Sequence, residues 1–116
     1  MVTYKEATAA IRAELRVLHK LNPETAKAFG ALSKAANEEG TLTPKTREFL
    51  ALAIAISQRC EPCINLHIDA LVRAGATRGE ISSVLSMCVQ MGGGPALMYA
   101  AHALAAWDEM ALVPAA

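Results

Sequence analysis

Residues 43–67 read TPKTREFLALAIAISQRCEPCINLH. Thr43-Pro44 has the form of a helix N-cap followed by proline in the first helical position, where an absent N–H leaves no bond unmade. The stretch REFLALAIAISQR then continues as a helix in which Glu48 shares one stripe with Phe49, Leu52 and Ile56. Another helix starts near Pro62, so Cys63 lies in its first turn and His67 follows at i+4 on the same face. Two helices joined by a few residues set the pattern for the whole chain.

The same punctuation recurs on both sides. A first helix is expected from about Thr3 to Lys20, with Ala10, Ile11, Leu15 and Leu18 on one face. Asn22-Pro23 repeats the cap-and-proline start for a second helix carrying Phe29 and Leu32 and ending at Gly40. The helix from Pro62 stops at Gly75, and Thr77-Arg78-Gly79-Glu80 is a capping box that opens a fifth. After a loop at MGGGP, Pro95 opens a sixth, ending near Met110. Sustained period-2 alternation and Asn-Gly hairpin turns are absent. The expectation is one all-α domain over residues 1–116, a compact bundle of about six helices.

Composition narrows the partners. The 116 residues carry 11 basic and 11 acidic side chains, so no net field gathers nucleic acid or an anionic membrane surface. The N-terminus, MVTYKEATAAIRAELR, lacks the apolar stretch and cleavage site of a signal peptide, which makes the cytoplasm the expected location. Residues 81–107 contain no charged side chain and match a membrane span in length, but MGGGP interrupts them, so a buried helix after a loop is the reading. With 53% hydrophobic residues in so small a chain, part of the apolar surface is expected to be covered by further copies of it.

The chemistry centres on CEPCINLH, residues 60–67. Cys60 stands close enough to Cys63 for a disulfide, and a thiolate in a first helical turn is favoured by the dipole and by free backbone amides. His67 can take the thiol proton, and the inward Glu48 needs a partner that His67 can be. Ile64, Ile68 and Leu71 continue that stripe, while Asn65, Asp69 and Arg73 fall on the opposite side. Three plainer readings stay open: Glu48 serving only its helix dipole, His67 as a hydrogen-bonded core residue, and both cysteines as inert small hydrophobes. Zinc is the competing chemistry. Cys60, Cys63 and His67 supply three ligands, and Glu48, His19 or His102 would have to be the fourth.

Other residues are read mainly as structure. Cys88 and Met87, Met91, Met98 and Met110 are core fillers, and His19 faces the negative end of its helix. His102 is a core or interface histidine with a hydrogen-bond partner, or else a pocket wall or second base. The GGGP stretch lacks the strand and the Lys-Ser/Thr of a nucleotide loop, so close packing or a tight turn explains it better.

Glu48, eleven intervening residues, then Cys60-x-x-Cys63-x-x-x-His67 resembles the signature of the alkylhydroperoxidase D-like branch of the carboxymuconolactone decarboxylase superfamily. The helical setting and GGGPA before the last helix are similar too, over residues 22 to 110 or so. The resemblance implies an all-α homotrimer or homohexamer that reduces hydroperoxides with thiols, using no haem, flavin or metal cofactor. It implies that Cys63 attacks the peroxide and becomes a sulfenic acid, that Cys60 resolves it into a disulfide, and that His67, held by Glu48, relays the proton. A dithiol or dithiol-bearing protein would re-reduce the pair.

Between the cysteines, where the best-known peroxidases of that branch carry a histidine, this chain has Glu61-Pro62. General thiol–disulfide exchange is therefore the alternative, since CEPC is similar to the proline-containing dithiol of thioredoxin, whose first cysteine attacks. Thioredoxin's strands have no counterpart here. The namesake decarboxylases, which do not rely on a CxxC pair, and a non-enzymatic oligomeric protein are further alternatives.

Overall fold

A computed structural model describes residues 1–112, so the last four residues of the expected 1–116 domain lie outside the described part. Five helices follow one another: α1 (Tyr4–Leu21), α2 (Pro23–Glu38), α3 (Pro44–Ser57), α4 (Glu61–Arg73) and α5 (Arg78–Ala111). Among the described residues there is no strand.

Their starts follow from side-chain chemistry. Thr3, Thr43 and Thr77 each accept a backbone N–H three residues on, from Glu6, Thr46 and Glu80, with extended backbone at the cap. Asn22 also occupies a cap position, but its side chain makes no capping bond, contrary to expectation. It closes α1 as well as opening α2, and its ψ of 64° differs from the 156° to 164° of the three threonines, so its oxygen does not face the free amides. A fourth support comes from far along the chain. The Glu109 carboxylate accepts the N–H groups of Tyr4 at 3.0 Å and Lys5 at 2.8 Å, tying the start of α1 to the end of α5.

The expected break at MGGGP is present, but it is a single residue and not a loop, so the expected fifth and sixth helices run on as the two arms of α5 and five elements are counted. A single residue, Gly93, leaves helical geometry at φ 70° and ψ −150°, a conformation open only to glycine. A straight helix of 34 residues would measure about 51 Å, yet the longest extent of the molecule is 38 Å. Arg78 near one end of α5 meets Asp108 near the other, Nε to Oδ1 at 2.8 Å and Nη2 to Oδ2 at 3.1 Å. The helix therefore turns back on itself at Gly93, and Pro95 falls in the first turn of the returning arm, where its missing N–H is harmless. A side chain at Gly92 would meet the Ala96 methyl at 2.7 Å, so the close approach across the bend requires glycine there too. By length and composition α5 could cross a membrane, but it is bent, and one stripe of it forms the core.

That core joins Leu52 and Ile56 of α3, Ile64, Ile68 and Leu71 of α4, and both arms of α5. Ala96, Ala100, Ala103 and Ala106 let the returning arm lie close against its neighbours. Helix α4 is central, packed on α3, α5 and α1. The expected face of α1 is corrected: Thr8 is its buried residue, Ile11 and Leu15 are half-buried, and Ala10 and Leu18 are exposed, because only its N-terminal half docks. Helix α2 buries nothing; Phe29 and Leu32 are 68% and 64% exposed. The Arg47 guanidinium fastens its end by donating to the carbonyls of Ala36, Glu39 and Leu42.

One stability prediction arises from the α5 cap. Thr77→Ala is expected to cost about 1 kcal/mol in urea unfolding. The Glu80 carboxylate is held below its ordinary range by the Thr77 N–H and then by Lys45. A depressed carboxylate stabilises above its unfolded pKa, so the contribution of this box is present at neutral pH and fades as the pH falls through the carboxylate range.

Candidate functional site

The α3–α4 junction is three residues long, Gln58 to Cys60, and the N–H of each bonds back to a carbonyl of α3. Arg59 N–H donates to Ile56 O and Cys60 N–H to Ala55 O, both at 3.1 Å, which is the paired-bond end of a Schellman motif. The same pair closes α4, from Gly75 to Val72 and from Ala76 to Leu71. Gly75 supplies the left-handed residue there, at φ 78°, whereas after α3 an arginine occupies that place, at φ 57°. For a residue with a Cβ this conformation costs about 1–2 kcal/mol.

Cys60 ends one helix and begins the next. It is the N-cap of α4, and its Sγ accepts the Cys63 N–H at 3.3 Å. Glu61 and Pro62 fill the first helical positions and Cys63 completes the first turn. The two cysteines are joined as a disulfide, with Cα atoms 5.2 Å apart, and both are half-buried or nearly so.

One turn further, the His67 ring lies against α3. Its Nδ1 donates to Glu48 Oε2 at 2.7 Å; the carboxylate can only accept, so the hydrogen belongs on Nδ1 and Nε2 is left to exchange a proton. The two side chains are 34% and 25% exposed, within reach of solvent and off the dry core. Of the four residues singled out as Cys63, Cys60, His67 and Glu48, the first three lie at the start of α4 and the fourth reaches His67 from α3.

Two placements differ from expectation. Asn65 is only 5% exposed although it sits on what reads as the polar side of α4, because α1 and α5 cover that side. Its Oδ1 accepts from His102 Nε2 at 2.8 Å, and the His102 ring stands edge-on to Tyr4 with centroids 5.0 Å apart. His102 is thus the hydrogen-bonded core histidine and not part of the dithiol cluster. Asp69, on the same side, is paired with Arg12 of α1 at 2.8 Å. The only hint in the sequence is that Asn65 lies between Ile64 and Leu66.

Cys88 packs against the core as a free thiol, and burial pushes its pKa up, so it stays protonated and apolar near neutrality. His19 is exposed in the last turn of α1. Among the described residues no three His, Cys, Asp or Glu side chains are grouped as metal ligands, and Glu48 and His102 have the partners given above.

Comparison with known proteins agrees with this fold. The model of the carboxymuconolactone decarboxylase family matches residues 23–106. A crystal structure of a carboxymuconolactone decarboxylase family protein from Legionella pneumophila superposes with a TM-score of 0.89 at 42% identity, covering 93% of this chain and 96% of that one. Another, from Thermotoga maritima, a candidate for involvement in antioxidative response, gives 0.79 at 27% identity over 90% and 89%. An uncharacterized protein of Cupriavidus necator is 34% identical over 91% of this chain and 94% of its own length.

Proposed function

The chain belongs to the carboxymuconolactone decarboxylase family, and from that premise we propose that it is a thiol-dependent peroxidase of the alkylhydroperoxidase kind. The observation that carries this reading is the Glu48–His67 contact one helical turn from a cysteine pair able to form a disulfide. A namesake decarboxylase would have no use for that pair.

In the reduced protein the Cys63 thiolate attacks one oxygen of a hydroperoxide. The O–O bond breaks, and the leaving alkoxide takes a proton from His67, giving an alcohol and a Cys63 sulfenic acid. The Cys60 thiolate then attacks the sulfenic sulfur; hydroxide leaves and is protonated to water, and the disulfide forms. Two electrons from an external dithiol or dithiol protein reopen it by exchange. Glu48 accepts the Nδ1–H and so holds the imidazole in place, leaving Nε2 as the atom that carries the relayed proton. These steps use no metal, haem or flavin.

Assembly as a homotrimer or homohexamer, in the cytoplasm, completes the proposal. A compact monomer of 12.2 kDa exposes about 6,000 Å², and this chain exposes 7727 Å². Its radius of gyration is 14.8 Å against about 13 Å for a compact chain of this length. Unpartnered Val17, Leu21, Phe29 and Leu32 account for part of the excess and support contacts between copies.

One observation favours a second reading. The Cys60 sulfur, not that of Cys63, is the N-cap acceptor, so a thiolate there is favoured as in dithiol exchange proteins whose first cysteine attacks. The test mixes the reduced protein with hydrogen peroxide, cumene hydroperoxide or an aromatic disulfide, using dithiothreitol as reductant. Peroxide consumption above the dithiothreitol blank is expected. Turnover of the disulfide alone would transfer the assignment to thiol–disulfide exchange.

A further inference from the structure

A cavity of about 410 Å³ opens between the C-terminal half of α3 and the bend of α5. Ile56 and Ala96 form its buried floor, Met87 and Met91 its exposed rim, and the Cys88 thiol part of its wall. One charged side chain lines it, Arg59. Among the described residues that guanidinium, like that of Arg16 on the exposed side of α1, has neither a hydrogen bond nor an ion pair, whereas Arg12, Arg47, Arg73 and Arg78 are all engaged.

The backbone makes this arginine conspicuous. It holds the left-handed position that glycine fills at the matching end of α4, so local geometry supplies no reason for a side chain there. A reason exists in the cavity, where this long, exposed cationic side chain meets a lining that is apolar apart from Arg59 itself and Ser57. The volume lies in the range of small-molecule sites, which pair an apolar body with a few polar groups. A guanidinium is the group best suited to grip a planar anion in bidentate fashion. Methionine thioethers adapt to an alkyl chain, and the protonated Cys88 thiol adds no competing charge.

We propose that this cavity binds a small amphiphilic anion, its alkyl chain over Ile56 and Ala96 between the two methionines and its carboxylate or similar head on Arg59. The site is independent of the dithiol reading, because neither the Cys60 nor the Cys63 sulfur belongs to its lining.

Calorimetric titration of the full-length protein with decanoate, below its micelle concentration, tests this against decylammonium, which has the same chain and the opposite head. Saturable decanoate binding is expected, with decylammonium weaker. Arg59→Gln should weaken decanoate by about tenfold or more, on the scale of a lost charged hydrogen bond. Met91→Glu, a change on the exposed rim, should weaken it as well. Arg59→Gly separates a lost ligand contact from a damaged fold: the melting temperature should equal or exceed the parent's, since glycine suits the left-handed position, while decanoate affinity falls as for Arg59→Gln. Equal binding of the two amphiphiles, or unchanged affinity in Arg59→Gln, would reduce the cavity to a greasy surface and overturn the proposal. Absence of saturable decanoate binding would overturn it too, leaving the cavity to be covered by a second copy of the chain.

Discussion

Cys63→Ser is expected to lower peroxide turnover to the uncatalysed background, while Cys60→Ser accumulates a sulfenic acid on Cys63. A serine hydroxyl is not ionised near neutrality and cannot displace an alkoxide from oxygen, so the first variant loses the reaction outright. An ordinary thiol of pKa about 8.5 is only roughly 3% thiolate at pH 7, so the first helical turn of α4 and the nearby imidazole contribute at most about 30-fold by ionisation. The remainder must come from orienting the peroxide and protonating its leaving oxygen. In Cys60→Ser the attacking thiol survives and the resolving one is gone. That variant should consume a single equivalent of peroxide in the absence of added thiol, then stop, with dimedone adding its mass at Cys63. If dimedone labels neither variant, the peroxidase reading is lost. Labelling at Cys60 in Cys63→Ser, at a comparable rate, would reverse the roles of the two sulfurs, in line with Cys60 being the helix cap.

Glu48→Gln should reduce kcat/KM by about 10²-fold, at the lower end of what general acid catalysis contributes. The amide oxygen can still accept the His67 Nδ1–H across the 2.7 Å contact, so the ring keeps its place, but the bond is no longer charge-assisted and holds the ring less firmly during proton transfer. Fold stability should change by no more than about 1 kcal/mol, since the pair is partly exposed and screened. His67→Asn should cost at least as much activity. Combined with Glu48→Gln it should cost no more than His67→Asn alone, because the carboxylate acts through the imidazole. Additive losses in the double variant would show that Glu48 acts by some other route and would remove the relay.

The helices were legible because their signals are local. Thr3, Thr43 and Thr77 cap helices through bonds to residues three positions on, and such bonds are encoded in adjacent letters. The i+4 relation of Cys63 and His67 is a property of any helix through CINLH. The stripe of Glu48, Phe49, Leu52 and Ile56 followed from one helical period; Leu52 and Ile56 are fully buried and Phe49 is half-buried at its margin. The Asn22 cap failed because its backbone serves two helices at once, a conflict that the Asn-Pro pair does not reveal.

What the sequence by itself determined is therefore the set of helices, their starts, and the spacing of the dithiol and its histidine, because hydrogen bonds within three or four residues govern them. The tertiary structure alone decided the rest. It brought Glu48 to His67 across nineteen positions, put Asn65 in the interior by laying α1 and α5 over the polar side of α4, and left α2 without a covering partner. It also folded α5 back at Gly93, so that Arg78 meets Asp108 and a cavity opens beside Arg59. Helical periodicity specifies which residues share a face, but which neighbour covers that face depends on contacts between segments far apart in the chain.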